Sequence, residues 1–210
     1  MSPLLMALLG VMLLPLFLAT WRASLFGLAC QGFLIAGIAV VMTPDASSYG
    51  HWLTLADLVL VRGVGAPLLL YGVLRSQNAP ARNDVIAPNL LSWTFAFGIM
   101  LAAFDFAELL VKETGDAQTL VAVATSGILL GLLVLATQSG AFSQIVGALR
   151  VENAIALFAL GSKPEHEPLG VRIGQVVIVA LTIALYAWYL KTLNARSPSA
   201  AGAEIEAPTI

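Results

Sequence analysis

Charge is scarce in this chain. Ten lysines and arginines and 12 acids make up 10% of its 210 residues, and the net charge is −2. That leaves no basic patch for nucleic acid and little material for an extramembrane domain. Cysteine is scarcer still: the single Cys30 excludes a disulfide framework, a four-cysteine iron–sulfur site and a CxxC pair within the chain. The two histidines fall in separate loops. His51 precedes Trp52 and reads as an interfacial residue, and His166 stands between Glu165 and Glu167. Neither arrangement makes a metal site. No nucleophile–base pair, glycine-rich phosphate loop or haem-ligand pair stands out, so the chain carries no visible bond-making chemistry of its own.

What the chain has in excess is apolar surface, with 59% hydrophobic residues and a mean hydropathy of +0.91. That composition predicts an all-α integral membrane protein. A spanning helix needs about 20 mostly apolar residues. Segments 3–20, 23–42, 52–74, 86–111, 117–138, 141–161 and 168–191 qualify, and residues 195–210 read as a flexible tail. The first run, LLMALLGVMLLPLFLAT, lacks a basic n-region and an A-x-A site, and reads as a retained helix. With seven spans, Arg22, Arg75, Arg82, Lys191 and Arg196 fall on one side, and Lys112 and Lys163 on the other. The positive-inside bias predicts an outside N terminus and a cytoplasmic C terminus. Trp21, Trp52, Trp93 and Trp188 lie near predicted span ends, as an aromatic belt would.

An internal repeat is visible. RASLFGLACQGFLIAGIAVV (22–41) resembles FSQIVGALRVENAIALFALG (142–161), with Gly27 on Gly147. Each stretch follows an apolar helix after a short polar turn. Each precedes a helix bearing an arginine, Arg62 and Arg172. The pattern suggests three helices, a linker helix, and three again; transport folds often arise by such duplication.

The organising stretch is residues 143–161, SQIVGALRVENAIALFALG, a predicted span with Arg150 and Glu152 near its middle. A charge at the bilayer centre costs about 2.5–3.5 kcal/mol on insertion scales, so protein or water must surround it. Helical spacing puts Glu152 on a stripe with Ala148, Ala156 and Ala159, small residues that let helices approach. Arg150 lies nearly opposite. Glu152 reads either as a protonatable relay group or as half of a structural pair between neighbouring chains. The third segment carries Asp57 and Arg62, five apart and therefore on different faces of an α-helix. Pro67 deprives the Gly63 carbonyl of its helical donor. A free carbonyl beside a buried cation fits a hydrated pathway, or a kinked packing helix. In the fourth segment Asp105 and Glu108 share a face, as a subunit contact or as a proton entry or exit. Arg172 and Gln175 start the seventh, where Arg172 is placed to snorkel to the interface or to join a path.

The order of these features resembles the E-type membrane component of hydrogenase-4, a group-4 membrane-bound nickel–iron hydrogenase. The likeness spans most of the chain and is carried by QIVGALRVENAIALFAL, with Glu152-Asn153, and by Arg62 and Pro67. The C-terminal part is similar to the NuoK-type subunit of respiratory complex I, whose three helices carry intramembrane glutamates. Glu152 falls about one turn from the first such position, which is Leu149 here. Near the second stands Arg172 or Gln175 rather than an acid. The resemblance implies a subunit of an energy-converting complex in a bacterial inner membrane. It would lie between antiporter-like subunits and a peripheral arm whose iron–sulfur clusters, with a nickel–iron centre in the hydrogenases, would do the redox chemistry. It would itself bind no cofactor and contribute Glu152, Arg62, Asp57, Arg150, Asp105, Glu108 and Arg172 to a proton or sodium path. A passive scaffold subunit and a stand-alone solute transporter are the competing readings.

Overall fold

A computed structural model of the chain describes residues 1–17, 20–43, 49–76, 90–112, 115–138, 140–161 and 168–196. Every element among them is helical: α1 (Ser2–Phe17), α2 (Trp21–Met42), α3 (Tyr49–Ser76), α4 (Leu90–Leu110), α5 (Asp116–Thr137), α6 (Ala141–Gly161) and α7 (Leu169–Arg196). Helices α2 to α7 are six that are long and apolar enough to cross a membrane, which marks a multi-pass membrane protein. Helix α1, with 16 residues, falls short, so six of the seven expected spans reach that length. Helix α3 begins three residues before its expected start. Helix α7 runs on past 191 to Arg196, so the start of the expected tail is helical. Residues 197–210, His166 and Lys163 lie outside the described residues.

The helix starts and hydroxyls follow from the need to satisfy the backbone where water is absent. Thr20 caps α2, its side chain accepting from the Ala23 N–H. Gly115 enters α5 at φ 138°, a left-handed conformation that glycine adopts without strain. Within the spans, Thr54, Thr94, Thr137, Thr182 and Thr192 each donate to the carbonyl four residues back, which spares the hydroxyl a separate partner.

Neighbours in the chain are antiparallel. Leu4 lies by Gly37 and Leu14 by Gly27 across α1–α2, and Gly131 by Val151 and Leu120 by Gly161 across α5–α6. The two halves then run side by side. Met1 lies by Asp116 and Met12 by Gly127, so α1 runs parallel to α5. Helix α2 packs on α6, and α3 on α7. Two apolar cores result. One joins α1, α2, α5 and α6 around Leu8, Ile35, Val123 and Leu157. The other joins α2, α3, α6 and α7 around Leu28, Leu70, Leu149 and Ile183. Helices α2 and α6 serve both. Helix α4 packs on α5 through the stripe Ala96, Ala103 and Ala107, and leaves most of its surface exposed.

Small residues set the closest crossings. A Cβ on Gly131 would meet Val151 Cγ2 at 2.5 Å, and one on Gly32 would meet the Gly63 Cα at 2.6 Å. Backbones approach this closely only where a side chain is missing. The α5–α6 contact therefore uses Gly127, Gly131 and Gly147 rather than the expected alanine stripe around Glu152.

Candidate functional site

The middle of α3 is wound as a π-helix from Asp57 to Gly65. Its last bonds reach Ala66, whose N–H donates to the Val61 carbonyl. Pro67 follows at once and has no N–H for Gly63, and Gly63 and Gly65 weaken the α preference around it. A wider turn is the local solution.

The winding corrects one expectation directly. Five residues along an α-helix point about 140° apart, but the wider turn of a π-helix, with its i→i+5 hydrogen bonds, brings residues i and i+5 much nearer to one face. Arg62 Nε accordingly donates to Asp57 Oδ2 at 2.8 Å, a buried ion pair within one helix. Arg62 Nη1 also donates to Asn153 Oδ1 on α6 at 3.2 Å. Nothing in the sequence gives Asn153 a separate role, because no local spacing links positions 62 and 153. The Gly32–Gly63 crossing sits beside this pair and brings α2 against it.

Beside the pair opens a cleft of about 320 Å³ between α3, α6 and α7. Its polar lining is Thr54, Asp57, Arg62, Glu152, Arg172 and Gln175; Leu53, Ile155, Val176 and Ile178 supply apolar wall. Of the expected stripe, Glu152, Ala156 and Ala159 line this opening and Ala148 does not, while Ala156 also packs against the first apolar core. Arg62 and Glu152 stand near the midpoints of their helices, whereas Thr54 and Arg172 lie near the N-terminal ends of theirs. The cleft thus runs from one end of the bundle to mid-depth. Arg172 does not turn outward: its guanidinium lies against Gly50, with Nη1 3.5 Å from Thr54 Oγ1.

Glu152 is half-buried and forms no ion pair among the described residues. Asp57, Arg62 and Arg172 share the cleft with it, and Tyr186 of α7 is in electrostatic reach. Asp57 Oδ1 and Asn153 Nδ2 are buried without a hydrogen-bond partner among the described residues. A second void, of about 10 Å³, is lined by Arg62, Glu152 and Asn153 among others. The arrangement holds a half-buried carboxylate in an open cleft, beside a fixed, neutralised ion pair.

The other expected site residues lie elsewhere. Arg150 points to the far side of α6, where Nη1 donates to the Met12 carbonyl at 3.2 Å. Asp105 and Glu108 are on the exposed surface of α4, away from the cleft. His51 is not a loop residue but lies in the first turn of α3, buried, with its ring edge-on to Trp52 at 6.2 Å. Of the four tryptophans, Trp21 is buried and holds Arg22 over its ring at 5.2 Å, while Trp52 and Trp188 face outward. No group of three or more His, Cys, Asp or Glu is gathered among the described residues. Compared with known proteins, the chain matches no family model, no curated protein and no solved structure.

Proposed function

We propose that the chain is a membrane subunit of an energy-converting complex related to complex I and the group-4 hydrogenases. In it Glu152 takes up and releases the translocated cation through the α3–α6–α7 cleft. The observation that carries this reading is the cleft itself, whose polar lining leads from one end of the bundle to a mid-depth carboxylate that has no ion pair among the described residues. Charges so placed mark ion paths in membrane proteins. Arg62, held by Asp57 and Asn153, sets the field at the inner end, and Arg172 sets it at the mouth. Arg150, Asp105 and Glu108 fall outside this route.

The side-by-side placement of α1 with α5, α2 with α6 and α3 with α7 supports the 3+1+3 duplication. On that reading α1 crosses with the rest, giving seven spans, an outside N terminus and a cytoplasmic C terminus. Arg22, Arg75 and Lys191 then share the cytoplasmic end. Redox cofactors, iron–sulfur and nickel–iron, belong to peripheral partner subunits, and large antiporter-like subunits lie alongside in the bacterial inner membrane.

The test is mild-detergent purification through a C-terminal tag, with mass spectrometry of what co-purifies, for the wild type and Glu152→Gln. The expected result is recovery of antiporter-like and iron–sulfur subunits with both chains, and impaired cation translocation with the variant. An assembled variant complex that pumps fully overturns the role of Glu152. A variant that fails to assemble favours a scaffold subunit, and recovery of the folded chain alone favours a solute transporter.

A further inference from the structure

Arg150 poses a problem that the cleft does not solve. It is 3% exposed near the midpoint of α6, on the face away from Glu152, and no carboxylate pairs with it among the described residues. Its Nη1 reaches the Met12 carbonyl, but Nε and Nη2 have no partner among those residues. A buried guanidinium with idle donors is costly. Close by, at the midpoint of α2, Gln31 is 1% exposed and its Oε1 has no partner there either. Gln31 and Arg150, which carry these orphaned atoms, line one small void together with Met12, Gly127, Leu130, Gly131 and Val134.

That void measures about 10 Å³, close to the space one water needs. Its lining supplies both signs of hydrogen-bonding group, which a retained water also needs. A chloride ion is larger than water and has nothing to offer Gln31 Oε1, an acceptor. A cation is repelled by Arg150. Size and polarity therefore select the same occupant.

We propose that this void is a binding site for a single structural water. The water accepts from the Arg150 guanidinium and donates to Gln31 Oε1, joining α2 to α6 where Gln31 Oε1 and the orphaned guanidinium nitrogens have no hydrogen-bond partner among the described residues. The glycines make the space. A Cβ on Gly127 would meet Met12 Cε at 2.6 Å, and one on Gly131 would meet Val151 Cγ2 at 2.5 Å. The site also gives Arg150 a holding role, separate from any cation route through the cleft.

The test is a thermal-unfolding cycle on the purified full chain, with Gln31→Met and Arg150→Met singly and together. With the water in place, Gln31→Met lowers Tm by several degrees in the wild-type background, since it strips the bridge of its acceptor beside a buried charge. In the Arg150→Met background it leaves Tm unchanged or raises it, since no charge remains to be served. Equal shifts in both backgrounds overturn the proposal. Because a variant can fail to fold, high-resolution density of the wild type in lipid nanodiscs gives a second reading. A solvent peak within hydrogen-bond distance of Gln31 Oε1 and the Arg150 guanidinium supports the site. An empty void, a direct Gln31–Arg150 hydrogen bond, or bromide density at that position overturns it.

Discussion

Arg62 and Asp57 form an ion pair at 2.8 Å across one π-helical turn of α3, so the pair exists only while that turn keeps its width. Both side chains are largely buried. Breaking such a pair by removing one partner typically costs about 3–5 kcal/mol, because the other charge is stranded. Asp57→Asn is expected to destabilise the chain by that order. Asp57→Asn with Arg62→Gln should recover much of the loss. Thermal unfolding in detergent reads both; a single variant as stable as the wild type would falsify the structural importance of the pair.

The Gly32–Gly63 crossing holds α2 beside that pair. A Cβ on Gly32 would lie 2.6 Å from the Gly63 Cα and 2.9 Å from the Leu58 carbonyl oxygen, both backbone atoms that cannot swing away. Overpacking of this kind costs about 1–3 kcal/mol, so Gly32→Ala should lower stability by that much. Gly72→Ala is the matched control. A Cβ there meets nothing within 4 Å, and the helical preference of alanine should leave stability unchanged or raise it by up to about 1 kcal/mol.

How much of this is readable from sequence depends on the range of the interaction. Long apolar runs announce the helices, and ends differ by only a few residues because fraying and capping are decided locally. The opposed faces of Arg150 and Glu152 also follow from spacing alone. The Asp57–Arg62 pair does not, because spacing arguments assume α winding throughout. The Gly63-Val64-Gly65-Ala66-Pro67 stretch is the available warning. Asn153 and Gln31 escape because their roles depend on which helices become neighbours, 91 residues apart in the case of Arg62 and Asn153. The alanines near Glu152 mislead for the same reason: a small-residue stripe fits a packed seam and an open cleft equally well.

Asp105 and Glu108 are exposed on α4, and neither is ion-paired among the described residues. Substitutions at exposed positions without partners usually stay within about 0.5 kcal/mol. Asp105→Asn with Glu108→Gln should therefore leave the isolated chain as stable as before. In the assembled complex of the proposed function, the same pair of changes should reduce co-purification of whatever packs on α4. Unchanged recovery of every partner would mean that these acids face headgroups or water.

The sidedness of the cleft gives the last prediction. Thr54 and Arg172 at its mouth lie at the bundle end that also holds Met1, Gly115 and the C-terminal end of α6, while Arg22, Arg75 and Lys191 gather at the other. Basic residues stay cytoplasmic, so the mouth should open outward. A Thr54→Cys variant in a Cys30→Ser background tests this in intact cells with a membrane-impermeant thiol reagent. Modification from outside is expected, and it should fall when a small permeant thiol reagent is added first. An introduced cysteine at Ser76, at the opposite end of α3, should react only after the membrane is opened. The reverse pattern would invert the orientation, and with it the side from which Glu152 draws its cation.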